Sequence, residues 1–202
     1  MKNYNEDIER NLYLRDLLLG NIQGPLTGIP NIDKPWLKYY TKEELNIKIP
    51  DISMYDQVKK SAHLYPNYIA YEYMGKKCLY KDFIEEINEW AKVFHSSGVK
   101  HGDIVTISLP NIPNVLVVLY ALNKMGAIAN MVHPLSSEEE ILFSLNSTKS
   151  KYLVMLNTFY NKIENVIGKS NVDAVIFASA ADYMPIYMKL FYNLSQIGKY
   201  KK

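Results

Sequence analysis

Apolar residues recur at helical spacing in two stretches that flank a short alternating segment. In residues 53–64, Met54, Val58 and Ala62 share one face, and Ser53 is suited to cap the helix start. Residues 80–97 repeat this spacing, and Gly98 follows as a residue that tolerates a left-handed helix cap. Residues 68–73 alternate, and after a turn at 74–76 residues 77–79 form a second short strand. The pattern predicts a helix, a hairpin and a long amphipathic helix.

The following residues alternate between strand and helix patterns. We predict strands at 104–109, 128–132, 152–156 and 174–178, and helices at 113–124, 136–146 and 159–167. The strands at 128–132 and 152–156 are apolar on both faces, which is typical of a parallel sheet covered by helices on each side. Gly126 marks the bend between a helix and a strand, and Ser136 or Ser137 with Glu139 or Glu140 forms a capping box. The pattern predicts an α/β fold with a doubly wound, mostly parallel sheet, helices on both faces, an amino-terminal arm and a small hairpin.

The first 50 residues have a different character. A short amphipathic piece at 8–19 is followed by a segment rich in Gly and Pro, in which Pro25, Pro30 and Pro35 favour extended conformations at the residues before them. We therefore predict an amino-terminal arm at 1–50 that runs over a surface, and a single α/β domain at 51–202.

A last amphipathic helix is predicted at 182–197. It places five apolar residues on one stripe and leads into a basic tail of Lys199, Lys201 and Lys202 around Tyr200. The five residues of the stripe are Tyr183, Tyr187, Leu190, Phe191 and Leu194. A helix that covers the sheet is the favoured interpretation, and the alternative is a peripheral contact with an anionic membrane surface.

Composition excludes several classes of function. The 23 Lys and Arg against 21 Asp and Glu give a net charge of +2, which does not indicate nucleic acid as a partner. The single Cys78 and four scattered His offer no zinc-site spacing. The longest apolar run, 115–122, is far shorter than the roughly 20 residues that span a bilayer. We predict a cytoplasmic protein without a transmembrane segment.

Two short segments invite a ligand-binding interpretation. Gly168, Lys169 and Ser170 imitate the end of a phosphate-binding loop, but Ile163 stands where that loop needs glycine and a helix precedes the trio, which favours a surface turn. His133 follows a predicted parallel strand at its carboxyl end, where α/β folds bind ligands, and the next helix start could hold an anionic group. A purely structural histidine remains the alternative.

Three segments follow one another at a defined spacing: CLYKDF at 78–83, GDIVTISLPNIPN at 102–114 and ALNKMGAIANMVHP at 121–134. In this order and spacing they resemble the amino-terminal region of the adenylate-forming (AMP-binding) enzymes of the acyl-CoA synthetase or fatty-acid-CoA ligase type. The resemblance implies a ligase that activates a small-molecule carboxylate with ATP and Mg²⁺ and passes the acyl group to CoA. It also implies that His133, Pro134 and Leu135 line the CoA side of the pocket and that Lys162 could meet a CoA phosphate. A solvated surface lysine is the favoured alternative for Lys162. It assigns no catalytic residue and no metal ligand.

The same family holds ATP with a Ser/Thr/Gly-rich loop, an aromatic-Gly-x-Thr-Glu segment, a ribose-binding aspartate and a lysine on a carboxyl-terminal domain, and none of these occurs in 1–202. We therefore expect this chain to be the amino-terminal portion of such an enzyme, truncated before the phosphate-binding loop. Alone it should be inactive and bind no cofactor, and its partner should be the carboxyl-terminal portion of the same enzyme. A truncated gene, an excised fragment and a split enzyme remain open. The alternative functions are an adenylation unit that loads a carrier protein and a non-enzymatic module that binds acyl chains or a partner.

Overall fold

The computed structural model describes residues 27–196, apart from the side chains at 38, 42, 161, 162, 195 and 196. The chain divides into two units, Met1–Asp51 and Ile52–Lys202. The described part of the first unit contains three short helical segments, which are Pro30–Asp33, Pro35–Tyr39 and Lys42–Leu45. The amphipathic piece predicted at 8–19 and the position of Pro25 lie outside the described residues.

Only one of the two described prolines in the arm follows an extended residue. Ile29 has φ −101° and ψ 108°, as predicted for a residue before proline, but Lys34 has φ 44° and ψ 58°. The steric clash with a following proline disfavours the right-handed helical region, and Lys34 avoids it by turning left-handed as the cap of the segment before Pro35. The carboxylate of Asp33 accepts hydrogen bonds from the backbone N–H groups of Thr27 and Gly28, at 2.9 and 2.8 Å, and fixes this turn.

The second unit contains six α-helices and six strands in its described residues. The helices are α1 (Met54–Leu64), α2 (Tyr80–Ser96), α3 (Pro113–Met125), α4 (Glu138–Thr148), α5 (Tyr160–Ile167) and α6 (Ile186–Gln196). The strands are β1 (Ile69–Tyr73), β2 (Lys76–Leu79), β3 (Ile104–Ser108), β4 (Ile128–Met131), β5 (Tyr152–Leu156) and β6 (Ala174–Ala178). Short 3-10 turns occupy Asn157–Phe159 and Ala180–Tyr183. The hairpin and the alternation of strand and helix are confirmed.

Four strands form a parallel sheet in the order β4-β3-β5-β6. In this register Val105 of β3 pairs with Ala129 of β4 and with Tyr152 of β5. β1 and β2 form the separate antiparallel hairpin. The predicted doubly wound α/β fold is confirmed.

Side chains of the central strands alternate between two hydrophobic clusters. Val105 and Val154 belong to the larger cluster, together with residues of α2 and α3. Leu153 and Met155 point the other way and pack with residues of α4 and α5. All five residues of β5 are buried, as the apolar pattern of 152–156 predicts. The sheet therefore has helices on both faces.

β4 departs from the prediction that its two apolar faces are covered. It is an edge strand of the sheet, and Ile128 and Met131 each remain 53% exposed. An edge strand has a neighbour on one side only, so fewer helices reach its two faces. Apolar composition alone does not distinguish this position from a central one.

The last predicted helix is divided in two. Tyr183 belongs to the 3-10 turn Ala180–Tyr183 and is buried, whereas Pro185 precedes α6 and separates it from that turn. Leu190 and Phe191 of α6 are 61% and 73% exposed. The prediction that this stripe covers the sheet is therefore wrong for the described residues. None of the helices in 27–196 is long and apolar enough to cross a membrane.

Candidate functional site

The direction of chain winding reverses between β3 and β5. The connection through α3 leads from β3 to β4 on one side, and the connection through α4 then returns past β3 to β5 on its other side. In doubly wound sheets such a reversal opens a crevice beyond the carboxyl ends of the two strands, and ligands bind there.

A cleft of about 360 Å³ lies at these strand ends. The loop after β3, the turn after β4 and the end of β5 contribute its wall. The lining residues are Leu109, Pro110, Asn111, His133, Pro134, Leu135, Leu156 and Phe159. The structure thus brings His133, Pro134 and Leu135 together in one cleft wall. Most of this wall is apolar, which suits a ligand with an apolar or amide-containing body.

The turn after β4 fixes the orientation of the His133 ring. Nδ1 of His133 accepts a hydrogen bond from the backbone N–H of Leu135 at 3.2 Å, and the carbonyl oxygen of His133 accepts one from Ser136 at 3.0 Å. A nitrogen that accepts carries no proton, so the neutral ring bears its proton on Nε2. His133 can therefore donate one hydrogen bond to a ligand from Nε2.

The start of α4, which follows this turn, carries negative charge. Ser137 and Glu140 form the predicted capping box, with Ser137 Oγ accepting from Glu140 N–H and Glu140 Oε2 accepting from Ser137 N–H. Glu138, Glu139 and Glu140 all lie in the first turn. Because these carboxylates already occupy the positive end of the helix, the expectation that an anionic ligand binds there is not supported.

Sequence reasoning missed a set of buried polar atoms at the same edge of the sheet. Within the described residues, Ser108 Oγ, Asn157 Oδ1 and both polar side-chain atoms of Asn114 are buried without a hydrogen-bond partner. Ser108 ends β3, Asn114 lies in the first turn of α3 and Asn157 follows β5. Each unpaired buried group costs about 1–3 kcal/mol. The sequence signal is a polar residue at the end of an apolar strand or directly after it, and it applies to Ser108 and Asn157 but not to Asn114.

The other predicted site residues lie elsewhere. Lys162 belongs to α5, and its side chain is outside the part of the chain that the structure describes. Gly168 ends α5, while Lys169 N–H and Ser170 N–H donate to the carbonyls of Val166 and Ile167. This is the surface turn that the sequence favours, and it is not a phosphate-binding loop.

A second cavity of about 240 Å³ lies beside the hairpin, and sequence reasoning missed it as well. Tyr71 Oη donates to Glu86 Oε2 at 2.6 Å, and Cys78 and Tyr183 also line the cavity. Burial raises the pKa of Glu86 and raises that of the Cys78 thiol to about 11. A thiol with this pKa is a poor nucleophile at neutral pH.

The residues that line the cleft include no Asp, Glu, Lys or Arg. No group of three or more His, Cys, Asp or Glu side chains within 27–196 is placed to hold a metal ion. The residues at the sheet edge are apolar groups, one histidine donor and the uncharged polar atoms of Ser108, Asn114 and Asn157. This arrangement can bind and orient a ligand.

Comparison with known proteins gives a consistent assignment. A family model described as AMP-binding enzyme matches residues 58–187. Long-chain-fatty-acid-CoA ligases of Bacillus subtilis and Escherichia coli are 26% and 27% identical to this chain over 82% and 75% of its length. The chain spans only 30% and 28% of these two relatives. The structure of a long-chain-fatty-acid-CoA ligase from Archaeoglobus fulgidus has the same fold, with a TM-score of 0.61 and 19% identity over 68% of this chain and 30% of that one.

Proposed function

Because the chain belongs to the AMP-binding enzyme family, we propose that it forms the amino-terminal part of an ATP-dependent CoA ligase that works through an acyl adenylate. We further propose a long-chain fatty acid as the carboxylate substrate. The observation that carries the proposal is the cleft at the winding reversal of the sheet. Two of its lining residues, Leu109 and Leu156, are next in sequence to Ser108 and Asn157, which have unpartnered buried polar atoms. Such atoms need partners from a ligand, from water or from further protein.

Adenylation brings a carboxylate against the α-phosphate of ATP, so the negative charges must be offset by N–H donors, a metal ion and a lysine. The residues of 1–202 do not fit this task. The nine glycines are dispersed, the described residues hold no metal-binding cluster, and the start of α4 is acidic. We therefore derive no step through ATP or Mg²⁺ from this chain, and we propose that this part is inactive and binds no nucleotide by itself.

The apolar character of the cleft supports the thiol-bearing arm of CoA as its ligand. Leu135 is 73% exposed at the cleft, and Pro134, Leu156 and Phe159 extend its apolar wall. We propose that His133, Pro134 and Leu135 contact the pantetheine arm, with His133 Nε2 donating to one of its amide oxygens. The acidic start of α4 argues that the CoA phosphates lie away from it. Lys162 remains our proposal for a phosphate contact.

The reading frame that follows codon 202 tests the ligase proposal. We expect it to continue into a Ser/Thr/Gly-rich loop, and the protein it encodes should form acyl-CoA from ATP, CoA and palmitate. Acyl transfer only to a carrier-protein thiol would instead show a carrier-loading unit. Absence of carboxylate-dependent pyrophosphate exchange would contradict both the CoA ligase and the carrier-loading unit, and would leave a non-enzymatic module.

Substitutions in that enzyme test the CoA contact separately. Leu135→Asp should raise KM for CoA by about tenfold, because a charged group replaces an apolar contact. It should leave fatty-acid-dependent ATP-pyrophosphate exchange unchanged, since that half-reaction needs no CoA. Phe143→Asp is the matched control, because Phe143 is 74% exposed on α4, outside the residues that line the cleft. An unchanged KM for CoA in Leu135→Asp would contradict the contact.

A further inference from the structure

Helix α6 presents a continuous apolar face away from the rest of its unit. Its exposed apolar residues are Ile186 (79%), Tyr187 (59%), Leu190 (61%), Phe191 (73%) and Leu194 (65%). At 100° per residue these five side chains cover an arc of about 140°. Met188 and Tyr192 lie on the opposite side of the helix and are partly buried. The helix is therefore held by its narrower face, and its broad apolar face is uncovered in the described structure.

The sequence of α6 and of the residues that follow it carries charge of one sign. Residues 186–202 contain four lysines, at 189, 199, 201 and 202, and no Asp or Glu, and Asp182 stands four residues before the helix. The whole chain has a net charge of only +2, so the positive charge is concentrated at this end of the sequence. Lys189 is exposed and, by helical spacing, lies beside the apolar arc. A long lysine side chain there can extend towards anionic groups while Leu190 and its neighbours contact apolar material.

We propose that α6 docks on the surface of an anionic phospholipid bilayer. The apolar face would lie at the boundary between headgroups and acyl chains, Lys189 would contact a phosphate, and the basic sequence after α6 would add to the attraction. An 11-residue helix is about 16 Å long, so it lies in the interface and does not span a bilayer of about 30 Å. A second copy is a poorer occupant, because this part of the sequence carries the same positive charge in both copies, whereas an anionic surface carries the opposite charge.

Vesicle sedimentation with the 202-residue chain tests this docking. We expect the chain to pellet with vesicles that contain 30% phosphatidylglycerol in phosphatidylcholine and to stay in solution with pure phosphatidylcholine. Raising NaCl from 0.1 to 0.5 M should weaken the binding, because salt screens the attraction between lysines and headgroups. Equal binding to both vesicle types, or no binding to either, would overturn the proposal.

A pair of matched substitutions identifies the surface. Phe191→Glu should reduce binding at least tenfold, because a charge then enters the apolar boundary. Phe143→Glu should bind as the unaltered chain does, since Phe143 is equally exposed on α4. Lys201→Gln should weaken binding by about fivefold, because it removes one positive charge. Equal binding of the Phe191→Glu and Phe143→Glu proteins would overturn the assignment to α6.

Two measurements keep the outcome unambiguous. Far-UV circular dichroism of Phe191→Glu should match that of the unaltered chain. If it does not, the double substitution Leu190→Gln and Leu194→Gln replaces Phe191→Glu in the vesicle-binding test. Analytical ultracentrifugation tests the competing occupant. The unaltered chain could form a dimer, fail to bind anionic vesicles and become monomeric on Phe191→Glu substitution. That result would show that a second copy covers this face. No enzymatic readout is involved, so the result is independent of the ligase proposal.

Discussion

The imidazole ring of His101 lies against Gly126, where α3 ends and the chain turns towards β4. Gly126 caps α3 with φ 70°, and a methyl group at its Cα would overlap the His101 ring. The neighbouring Gly102 N–H donates to the carbonyl oxygen of Gly126 at 2.9 Å. The bend that the sequence places at Gly126 is therefore constrained both by its backbone conformation and by a close neighbour.

We expect Gly126→Ala to cost more stability than Gly75→Ala, as measured by urea unfolding. Both glycines have positive φ, but an added methyl group at Gly75 would meet no atom within 4 Å. Gly75→Ala should therefore cost only the backbone strain, about 1 kcal/mol, and Gly126→Ala roughly twice that. In a His101→Ala background the extra cost should disappear. Equal costs for the two glycines would show that the His101 ring moves aside freely.

A buried polar network joins Thr106, Ser150 and Asn130. Thr106 Oγ1 donates to Ser150 Oγ at 2.7 Å and accepts from Asn130 Nδ2 at 2.9 Å. We expect Thr106→Val and Ser150→Ala each to lower the free energy of unfolding by about 0.5–1.5 kcal/mol, because each removes the buried hydrogen bond between the two hydroxyl groups. Ser150 Oγ still lies 2.8 Å from Thr148 Oγ1, and Thr106 Oγ1 still accepts from Asn130 Nδ2, so neither atom is left without a partner. The double variant should cost less than the sum, by at least about 0.5 kcal/mol. Additive costs would contradict an energetic coupling between the two hydroxyl groups.

The pair of Asp103 and Lys151 predicts a stability loss in acid. Asp103 Oδ1 lies 2.8 Å from Lys151 Nζ, and this hydrogen bond, with a further one from the backbone of Lys100, lowers the pKa of Asp103 below 3.8. A carboxyl whose folded pKa is depressed stabilises the fold above its unfolded pKa, and the stabilisation disappears as pH falls through the folded pKa. The difference in Tm between the unaltered chain and Asp103→Asn should be constant from pH 5 to 8 and should shrink as the pH falls below about 4. A difference that does not change with pH would assign the effect to packing.

Cys78 should resist thiol reagents in the folded state. It is 7% exposed, and burial raises the pKa of its thiol from 9.0 to about 11. At pH 8 that shift alone reduces the thiolate fraction about a hundredfold. We expect alkylation by iodoacetamide to be at least about a hundred times slower than in denaturant. Glu86→Gln should accelerate it only slightly, because burial is the larger cause. A folded-state rate close to the denatured one would contradict this burial.

Local features of the sequence determined most elements of the second unit. The boundaries of β5 and β6 match the predicted 152–156 and 174–178, and Ser53 caps α1 as predicted. Side-chain periodicity and capping residues act within a few positions, so they can be recognised without knowledge of the fold. The parallel sheet follows from the same pattern, because strands that alternate with helices must be joined by crossovers.

The tertiary structure decided which surfaces are covered and which polar groups meet. The sequence pattern predicts that the apolar faces of β4 and α6 are buried. Met131 is nevertheless exposed because β4 is an edge strand, and Phe191 is exposed because α6 is a separate helix beyond Pro185. Likewise, Ser108, Asn114 and Asn157 are 49 residues apart at most, and only the winding of the sheet brings their elements to one edge. Burial depends on neighbours that are distant in the chain, and periodicity within one segment carries no information about them.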